Sequence, residues 1–149
     1  MQTASKAGAG IGAVVPAATV THGDVGTTPL PETSYSAYDD TMRTNARGAF
    51  AAVREAVPHL REDARVVIPV ALDTDHEGGG PFPFSQTARI AVMQGFAADL
   101  EQAVGAVDVG SPPDAASAAH LEQAADAIAR AATSDVALDG AVFDAAELA

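Results

Sequence analysis

The sequence contains no cysteine and no tryptophan, and Lys6 is the only lysine among its 149 residues. The absence of cysteine excludes disulfide scaffolds, thiolate zinc sites and cysteine nucleophiles. No apolar run approaches the roughly 18 residues that a membrane span needs, so no transmembrane helix is predicted. Twenty acidic residues against eight basic ones give a formal charge of −12. A charge of that sign repels a phosphate backbone and excludes a nucleic-acid-binding protein of the usual kind.

The length and the apolar content indicate one folded domain. A chain of 149 residues suffices for a single core, and 48% of its residues are apolar. We therefore predict one domain over residues 1–149, with residues 1–12 as a flexible lead-in. No basic region precedes an apolar run at the start of the sequence, so a secretory signal is not expected. We expect a cytoplasmic location. High acidity with scarce lysine is typical of a halophilic, haloarchaeal protein, although a GC-rich genome produces a similar bias.

Short β-rich runs alternate with longer helical patterns along the chain. Strands are predicted at the apolar runs 13–20, 65–72, 106–109 and 141–144. Three apolar stripes with helical spacing are present: one begins at Ser36, one follows Ser85 and one spans residues 118–132. Ser36 and Ser85 are expected to act as N-caps of their helices. A strand–helix series of this kind predicts an α/β fold, with a parallel sheet of four or five strands and helices on both faces.

Five motifs in this order resemble the short-chain dehydrogenase/reductase family. RTNARGAF, residues 43–50, resembles the family's central helix, in which an Asn is followed three residues later by a Gly. RVVIPVAL resembles the strand that ends in the catalytic Ser, and IAVMQGFAADL resembles the helix after the Tyr-x-x-x-Lys motif. AVVPAAT resembles the strand that usually ends in Asn-Asn-Ala-Gly, and the segment after residue 120 resembles the last helix and closing strand. The resemblance covers residues 11–147 and implies a Rossmann-like domain that lacks the first βαβ unit.

The resemblance also implies where catalytic residues would lie. In the family a Tyr is the acid/base, a Lys lowers its pKa, a Ser contacts the substrate oxygen and an Asn holds a proton-relay water. Asn45 matches that Asn, and Arg89 could supply a fixed charge in place of the Lys, one residue out of register. Ala71 stands where the Ser is expected and Phe84 where the Tyr is expected. Because a Phe ring has no proton to exchange, acid–base catalysis lacks its central group.

The cofactor site implied by the resemblance is incomplete as well. The family's Asn-Asn-Ala-Gly turn corresponds here to Pro-Ala-Ala-Thr, so Ala18 and Thr19 are the residues expected to contact a nicotinamide cofactor. The family's first βαβ unit binds the pyrophosphate at a helix N-terminus. Residues 8–12, Gly-Ala-Gly-Ile-Gly, are a weak match to its Gly-rich turn, because no strand precedes them and no helix follows. The expectation is no cofactor, or weak NAD(P) binding.

Two further groups of polar residues also have plainer interpretations. A polar loop with Asp73, Asp75, His76 and Glu77 follows a predicted strand and could offer oxygen ligands to Mg²⁺ or Ca²⁺. An acidic protein contains such loops by chance, so a solvated loop is expected and no metal site is predicted. Ser85 could join His76 and Asp73 in a nucleophilic triad, but the Gly-x-Ser-x-Gly elbow is absent.

The leading functional hypothesis is a degenerate short-chain dehydrogenase-like protein that does not transfer hydride on its own. Such a protein could form a homodimer or pair with a full-length relative through the central helices. Asn45 would then have a structural role, since a buried Asn must be hydrogen-bonded. The alternatives are an NAD(P)-dependent oxidoreductase that uses Asn45 and Arg89 with an altered acid, a cofactor-free interaction module, and a decayed gene fragment.

Overall fold

The fold is built on one parallel sheet of four strands. The computed structural model describes residues 10–21, 28–73, 79–111 and 116–148. The strands are β1 (Ile11–Val14), β2 (Leu60–Val70), β3 (Ala103–Asp108) and β4 (Val142–Asp144), and they lie side by side in that order. All three pairings are parallel. The predicted α/β fold, a Rossmann-like parallel sheet, is confirmed.

The strand limits differ from the predictions at both ends. The first strand was predicted at 13–20, but β1 ends at Val14, and Pro16 lies just beyond it, where its missing N–H costs the sheet nothing. Ile11 and Gly12, placed in the lead-in from sequence, belong to β1. Strand β2 starts five residues earlier than predicted, because the charged stretch from Arg61 to Asp63 extends beyond the covered part of the sheet.

The first helical region runs from α1 (Tyr35–Met42) to α2 (Gly48–Ala56), with a π-helical turn, Arg43–Arg47, between them. Ser34 is the N-cap, and its hydroxyl accepts a hydrogen bond of 3.1 Å from the Ala37 N–H. The expected cap, Ser36, therefore lies inside the helix, two residues later than the true cap. Short 3₁₀ turns at Leu30–Glu32 and Val57–His59 flank this region.

Three further helices complete the described chain: α3 (Phe82–Asp99), α4 (Ala118–Thr133) and α5 (Ala145–Leu148). Helix α4 begins at the Ser117 N-cap, whose hydroxyl accepts from the His120 N–H. Helix α3 begins after Pro81, so Ser85 lies within its first turn. The predicted N-cap role of Ser85 is therefore wrong. None of the helices in the described ranges is long and apolar enough to cross a membrane.

The sheet carries a hydrophobic cluster on each face, as a sheet covered by helices requires. One cluster joins β1, β2 and β3 to α2 and α3 and contains Val53, Val66, Ile68, Met93 and Val104, among others. The other joins β2 and β3 to α4 and α5 and contains Val67, Val107, Ala127, Leu138 and Leu148, among others. The predicted placement of helices on both faces is thus confirmed, and the strand ends are left to form the site.

Candidate functional site

Asn45 lies in the π-helical turn between α1 and α2, and its side chain is fully buried. Its Nδ2 donates to the Val20 carbonyl at 2.9 Å and to the Ser85 Oγ at 2.9 Å, and its Oδ1 accepts from the Val20 N–H at 2.7 Å. Both amide hydrogens are therefore used within the protein. The widened turn places this side chain between the segment that follows β1 and the start of α3. The expectation that a buried Asn45 is hydrogen-bonded is confirmed.

Ser85 is the second fully buried polar residue of this cluster. Its Oγ donates to the Phe82 carbonyl at 2.7 Å and accepts from Asn45 and from the Gln86 Nε2 at 3.3 Å. A hydroxyl has one hydrogen to donate and two lone pairs, so the hydrogen-bonding capacity of Ser85 is fully used. Gln86 continues the network, because its Oε1 accepts from the Ala71 N–H at 3.1 Å at the end of β2.

Arg89 is 1% exposed and donates only to backbone carbonyls. Its Nε bonds to Pro69 at 2.9 Å, its Nη1 to Ala18 at 3.0 Å and to Asn45 at 3.1 Å, and its Nη2 to Pro16. Four of the five guanidinium hydrogens are thereby engaged. Burial lowers the pKa of Arg89 to about 10, which leaves the side chain protonated at neutral pH. The charge is therefore held by four carbonyl dipoles and is directed into the polypeptide.

Ser85 and Arg89 are four residues apart on one face of α3, the spacing of the Tyr-x-x-x-Lys motif in the resembled family. Phe84, the expected counterpart of the Tyr, is 44% exposed and takes no part in the buried network. The buried residue four positions before Arg89 is therefore Ser85. Where the resembled motif has a Tyr and a Lys at this spacing, this chain has a Ser and an Arg.

A cavity of about 200 Å³ opens beside this network at the carboxyl ends of the strands. In open parallel sheets this edge is where ligands bind. The wall is mainly apolar and is formed by the segment after β1, the end of β2 and one face of α4. Thr19, predicted as a cofactor contact, lines the cavity, and its Oγ1 is buried with no hydrogen-bond partner among the described residues. Ala18, predicted with it, contributes a carbonyl to Arg89.

The predicted acidic loop is described only at its first residue. Asp73 lines a second cavity together with Asp108 and Asp144, the carboxylates at the ends of β3 and β4. Asp75, His76 and Glu77 lie outside the described residues, so the triad with His76 and the complete metal loop have no structural account. In the part of the chain that the structure describes, no three side chains are grouped as metal ligands. Ser85, the third member of the triad considered above, has no hydrogen-bonding capacity left.

Sequence reasoning missed His120 as a site residue. Its ring lines both cavities, and its Nε2 lies within hydrogen-bonding distance of the Val109 carbonyl. Since a carbonyl only accepts, Nε2 is the protonated nitrogen in this arrangement. The sequence signal for His120 is its place three residues after Ser117, the N-cap of α4. That position brings the ring back over Gly110 at the strand ends.

No protein-family model matches the chain, and no curated protein sequence matches it. Solved structures do. A dehydrogenase/reductase from Sinorhizobium meliloti 1021 is similar at a TM-score of 0.76 and 22% identity, over 96% of this chain and 65% of that one. A short-chain dehydrogenase/reductase from Brucella ovis in complex with a partially ordered NAD is similar at a TM-score of 0.77 and 18% identity, over 96% of this chain and 68% of that one. The angucycline C-6 ketoreductase LanV with bound NADP is similar at a TM-score of 0.75 and 19% identity, over 93% of this chain and 62% of that one.

These likenesses show the fold. The chain has the short-chain dehydrogenase/reductase fold, and the resemblance seen in its sequence motifs is confirmed at that level. The chain spans just under two thirds of the length of the Sinorhizobium protein. The overall fold is thus shared with these proteins.

Proposed function

We propose that this chain is a short-chain dehydrogenase-like domain that does not transfer hydride on its own. The observation that supports this is the closed network of Asn45, Ser85 and Arg89. Asn45 matches the Asn of the resembled family, and Ser85 and Arg89 have the spacing of its Tyr and Lys, yet their hydrogen bonds run to one another and to backbone groups. A general acid must be able to exchange its proton with a reacting group. Here that proton belongs to the Ser85 hydroxyl and is donated to the Phe82 carbonyl.

The substrate-binding Ser of the family has no substitute either. Ala71, the residue after β2, carries only a methyl group, and its N–H is already paired with Gln86. A carbonyl substrate in the cavity would therefore find no hydroxyl at this position. We interpret Asn45, Ser85 and Arg89 as a structural network that holds the segment after β1 against α3.

Altered NAD(P)-dependent chemistry is the second candidate, and two features of the cavity favour it. Thr19 Oγ1 lacks a partner among the described residues, and the imidazole ring of His120 lines the same cavity. Thr19 would contact the nicotinamide end of such a cofactor, which supplies or accepts hydride when bound. Arg89, by contrast, has one guanidinium hydrogen left and could not replace the ribose-binding Lys. The residues present suit the cofactor at one end only, consistent with weak binding.

Turnover assays separate the two candidates. The protein, at micromolar concentration, is incubated with NADH or NADPH and a panel of aldehydes and ketones. The absorbance of the reduced cofactor is followed over time. We expect no rate above the buffer control for any combination. As controls, Thr19→Val and His120→Gln alter the cavity without touching the buried network.

A rate that is present in the wild type and lost in His120→Gln would overturn the proposed function and establish the second candidate. A rate that persists unchanged in both variants would point to a contaminating reductase.

Pairing of two chains, or of this chain with a full-length relative, remains a proposal. The half-exposed Phe50 and Phe84 on α2 and α3 are the side chains that such an interface would cover.

A further inference from the structure

The turn between α4 and β4 contains the only Asp-Gly dipeptide of the chain, Asp139 and Gly140. The φ angles of these residues are 41° and 71°, and Asp139 is the only non-glycine residue with a positive φ in the described ranges. The Ala141 N–H donates to the Leu138 carbonyl at 2.7 Å across the turn. A turn with two central residues at positive φ favours Asp-Gly, because both residue types tolerate this conformation.

Asp-Gly is also a chemically labile dipeptide, because Gly has no Cβ to hinder attack by its own backbone nitrogen. When the Gly140 nitrogen bonds to Asp139 Cγ, the nitrogen's proton and a carboxyl oxygen leave as water, and a succinimide ring closes. Water then reopens the ring at either carbonyl. Cleavage at Cγ restores Asp, whereas cleavage at the backbone carbonyl leaves the chain running through the side chain, as isoaspartate. The net change is an isomerisation that needs no oxidant and no co-reactant besides water.

The folded turn restrains this reaction at the attacking nitrogen. The Gly140 N–H donates to the Val104 carbonyl at 2.8 Å, which ties the turn to β3. Leu138 is fully buried in the hydrophobic cluster beneath α4 and α5. A Cβ at Gly140 would lie 3.2 Å from the Ala97 Cβ, so the turn also packs closely against α3. Ring closure needs the peptide between Asp139 and Gly140 to rotate toward the carboxyl group, so the bond to Val104 must break first.

We propose that Asp139 is a site of spontaneous isomerisation to isoaspartate, that the reaction requires opening of this turn, and that its product releases β4 from the sheet. Asp139 is exposed, so water reaches the ring once it has closed. The proposal goes beyond the absence of hydride transfer and does not depend on it, because the turn contributes no residue to the network of Asn45, Ser85 and Arg89.

The release of β4 follows from the length of the altered backbone. Isoaspartate adds one methylene to the path between Leu138 and Gly140, so the hydrogen bonds on the two sides of the turn can no longer form in their present register. Strand β4 has only three residues, and it pairs with β3 from Val142 onward. Two residues separate the altered position from that pairing, so the displacement reaches the strand.

Ageing of the full chain tests the location and the need for opening. The protein is incubated at neutral pH, folded in buffer and unfolded in concentrated urea. Isoaspartate is located after proteolysis by electron-transfer fragmentation, which distinguishes it from Asp. We expect isoaspartate at Asp139 before any other aspartate, and formation at least about tenfold faster in urea, because the turn in buffer must open first.

Two glycine variants test whether opening of this turn limits the rate in buffer. A Cβ at Gly105 would lie 3.0 Å from the Leu138 Cβ and 3.2 Å from the Ala141 carbonyl, so Gly105→Ala loosens the turn. It should accelerate isomerisation at Asp139 by about threefold or more. Gly95→Ala is the matched control, because its Cβ meets no atom within 4 Å and it should leave the rate unchanged.

Hydrogen exchange tests the release of β4. The Ala106 amide donates to the Ala141 carbonyl at 2.9 Å and so reports whether the start of β4 stays paired. Its exchange should accelerate in aged wild type. Asp139→Gly tolerates the positive φ but has no carboxyl group, so its Ala106 amide should keep the same exchange rate before and after ageing.

Three results would overturn the proposed site: isoaspartate first at another aspartate, equal rates in buffer and in urea, and equal rates in Gly105→Ala and Gly95→Ala. An Ala106 amide that exchanges no faster in the isomerised protein would overturn the release of β4. Turnover in the separate assay with NADH or NADPH bears only on the proposed function, so the two failures are distinguishable.

Discussion

At the scale of single residues, the buried polar side chains of Asn45, Ser85 and Arg89 are the distinctive feature of this chain. The Asn45 hydrogen bonds could be anticipated, because an Asn on an apolar helical stripe must find partners inside. The role of Arg89 could not be anticipated, because its spacing in the sequence suggested a charge that faces a ligand. The four carbonyls that it binds come from three segments that meet only in the folded chain. No local pattern encodes that meeting.

Replacement of Arg89 should therefore reduce stability more than an ordinary surface change would. Arg89→Met keeps the apolar volume but leaves four carbonyls unpaired, and we expect a loss of at least about 3 kcal/mol in the free energy of unfolding. Urea unfolding followed by circular dichroism measures this loss. Arg130→Met, on the exposed side of α4, is the control and should stay within about 0.5 kcal/mol of wild type.

Arg89→Lys extends the same comparison. A lysine places three hydrogens on one nitrogen and cannot span all four carbonyls, so it should recover only part of the loss. If Arg89→Met cost less than about 1 kcal/mol, Arg89 would not belong to a structural network, and the interpretation of the site would fail with it.

At the scale of elements, the sequence predicted the number, order and type of the principal strands and helices, because hydrophobic periodicity determines them. Two capping positions were shifted, because Ser34 and not Ser36 caps α1, and α3 begins after Pro81 and not at Ser85. The π-helical turn at Arg43–Arg47 was not predicted at all. One shifted hydrogen-bond register leaves the apolar stripe almost unchanged, so periodicity cannot reveal it.

Two glycines in regular elements predict opposite effects of the same substitution. A Cβ at Gly95, in α3, meets no atom within 4 Å, so Gly95→Ala should stabilise the protein by about 0.5–1 kcal/mol. A Cβ at Gly105, in β3, would lie 3.0 Å from the Leu138 Cβ and 3.2 Å from the Ala141 carbonyl. Gly105→Ala should therefore destabilise by about 1–3 kcal/mol.

Thermal melting of both glycine variants tests how rigid the packing around β3 is. The expected changes are a rise of about 2–4 °C per kcal/mol for Gly95→Ala and a corresponding fall for Gly105→Ala. Equal melting temperatures would mean that the turn between α4 and β4 moves away freely, so that β4 is not held in the sheet as described.

At the scale of the whole molecule, the formal charge of −12 is the dominant feature. Three ion pairs are found in the described ranges, all on exposed side chains, so much of the negative charge has no adjacent cation there. Repulsion between such charges weakens the compact state and is screened by salt, with a Debye length falling from about 10 Å at 0.1 M to about 3 Å at 1 M. The halophilic and cytoplasmic assignments remain predictions that this charge motivates.

The melting temperature should rise as KCl increases from 0.1 M to 2 M. Glu122 and Asp126 are exposed and four residues apart on α4, so their like charges repel each other. The double variant Glu122→Gln with Asp126→Asn should melt higher than wild type at low salt and gain less from added KCl. A melting temperature independent of salt in both proteins would contradict an electrostatic limit on stability.

The Arg89 carbonyl contacts also have a consequence for motion. Residues 16–20 have little secondary structure of their own, yet they are tied to the π-helical turn by Asn45 and to α3 by Arg89. Opening this segment requires breaking both ties together, so the wall of the cavity should open as one cooperative unit rather than fray residue by residue. The Val20 amide, which donates to Asn45 Oδ1, would report that opening in hydrogen exchange.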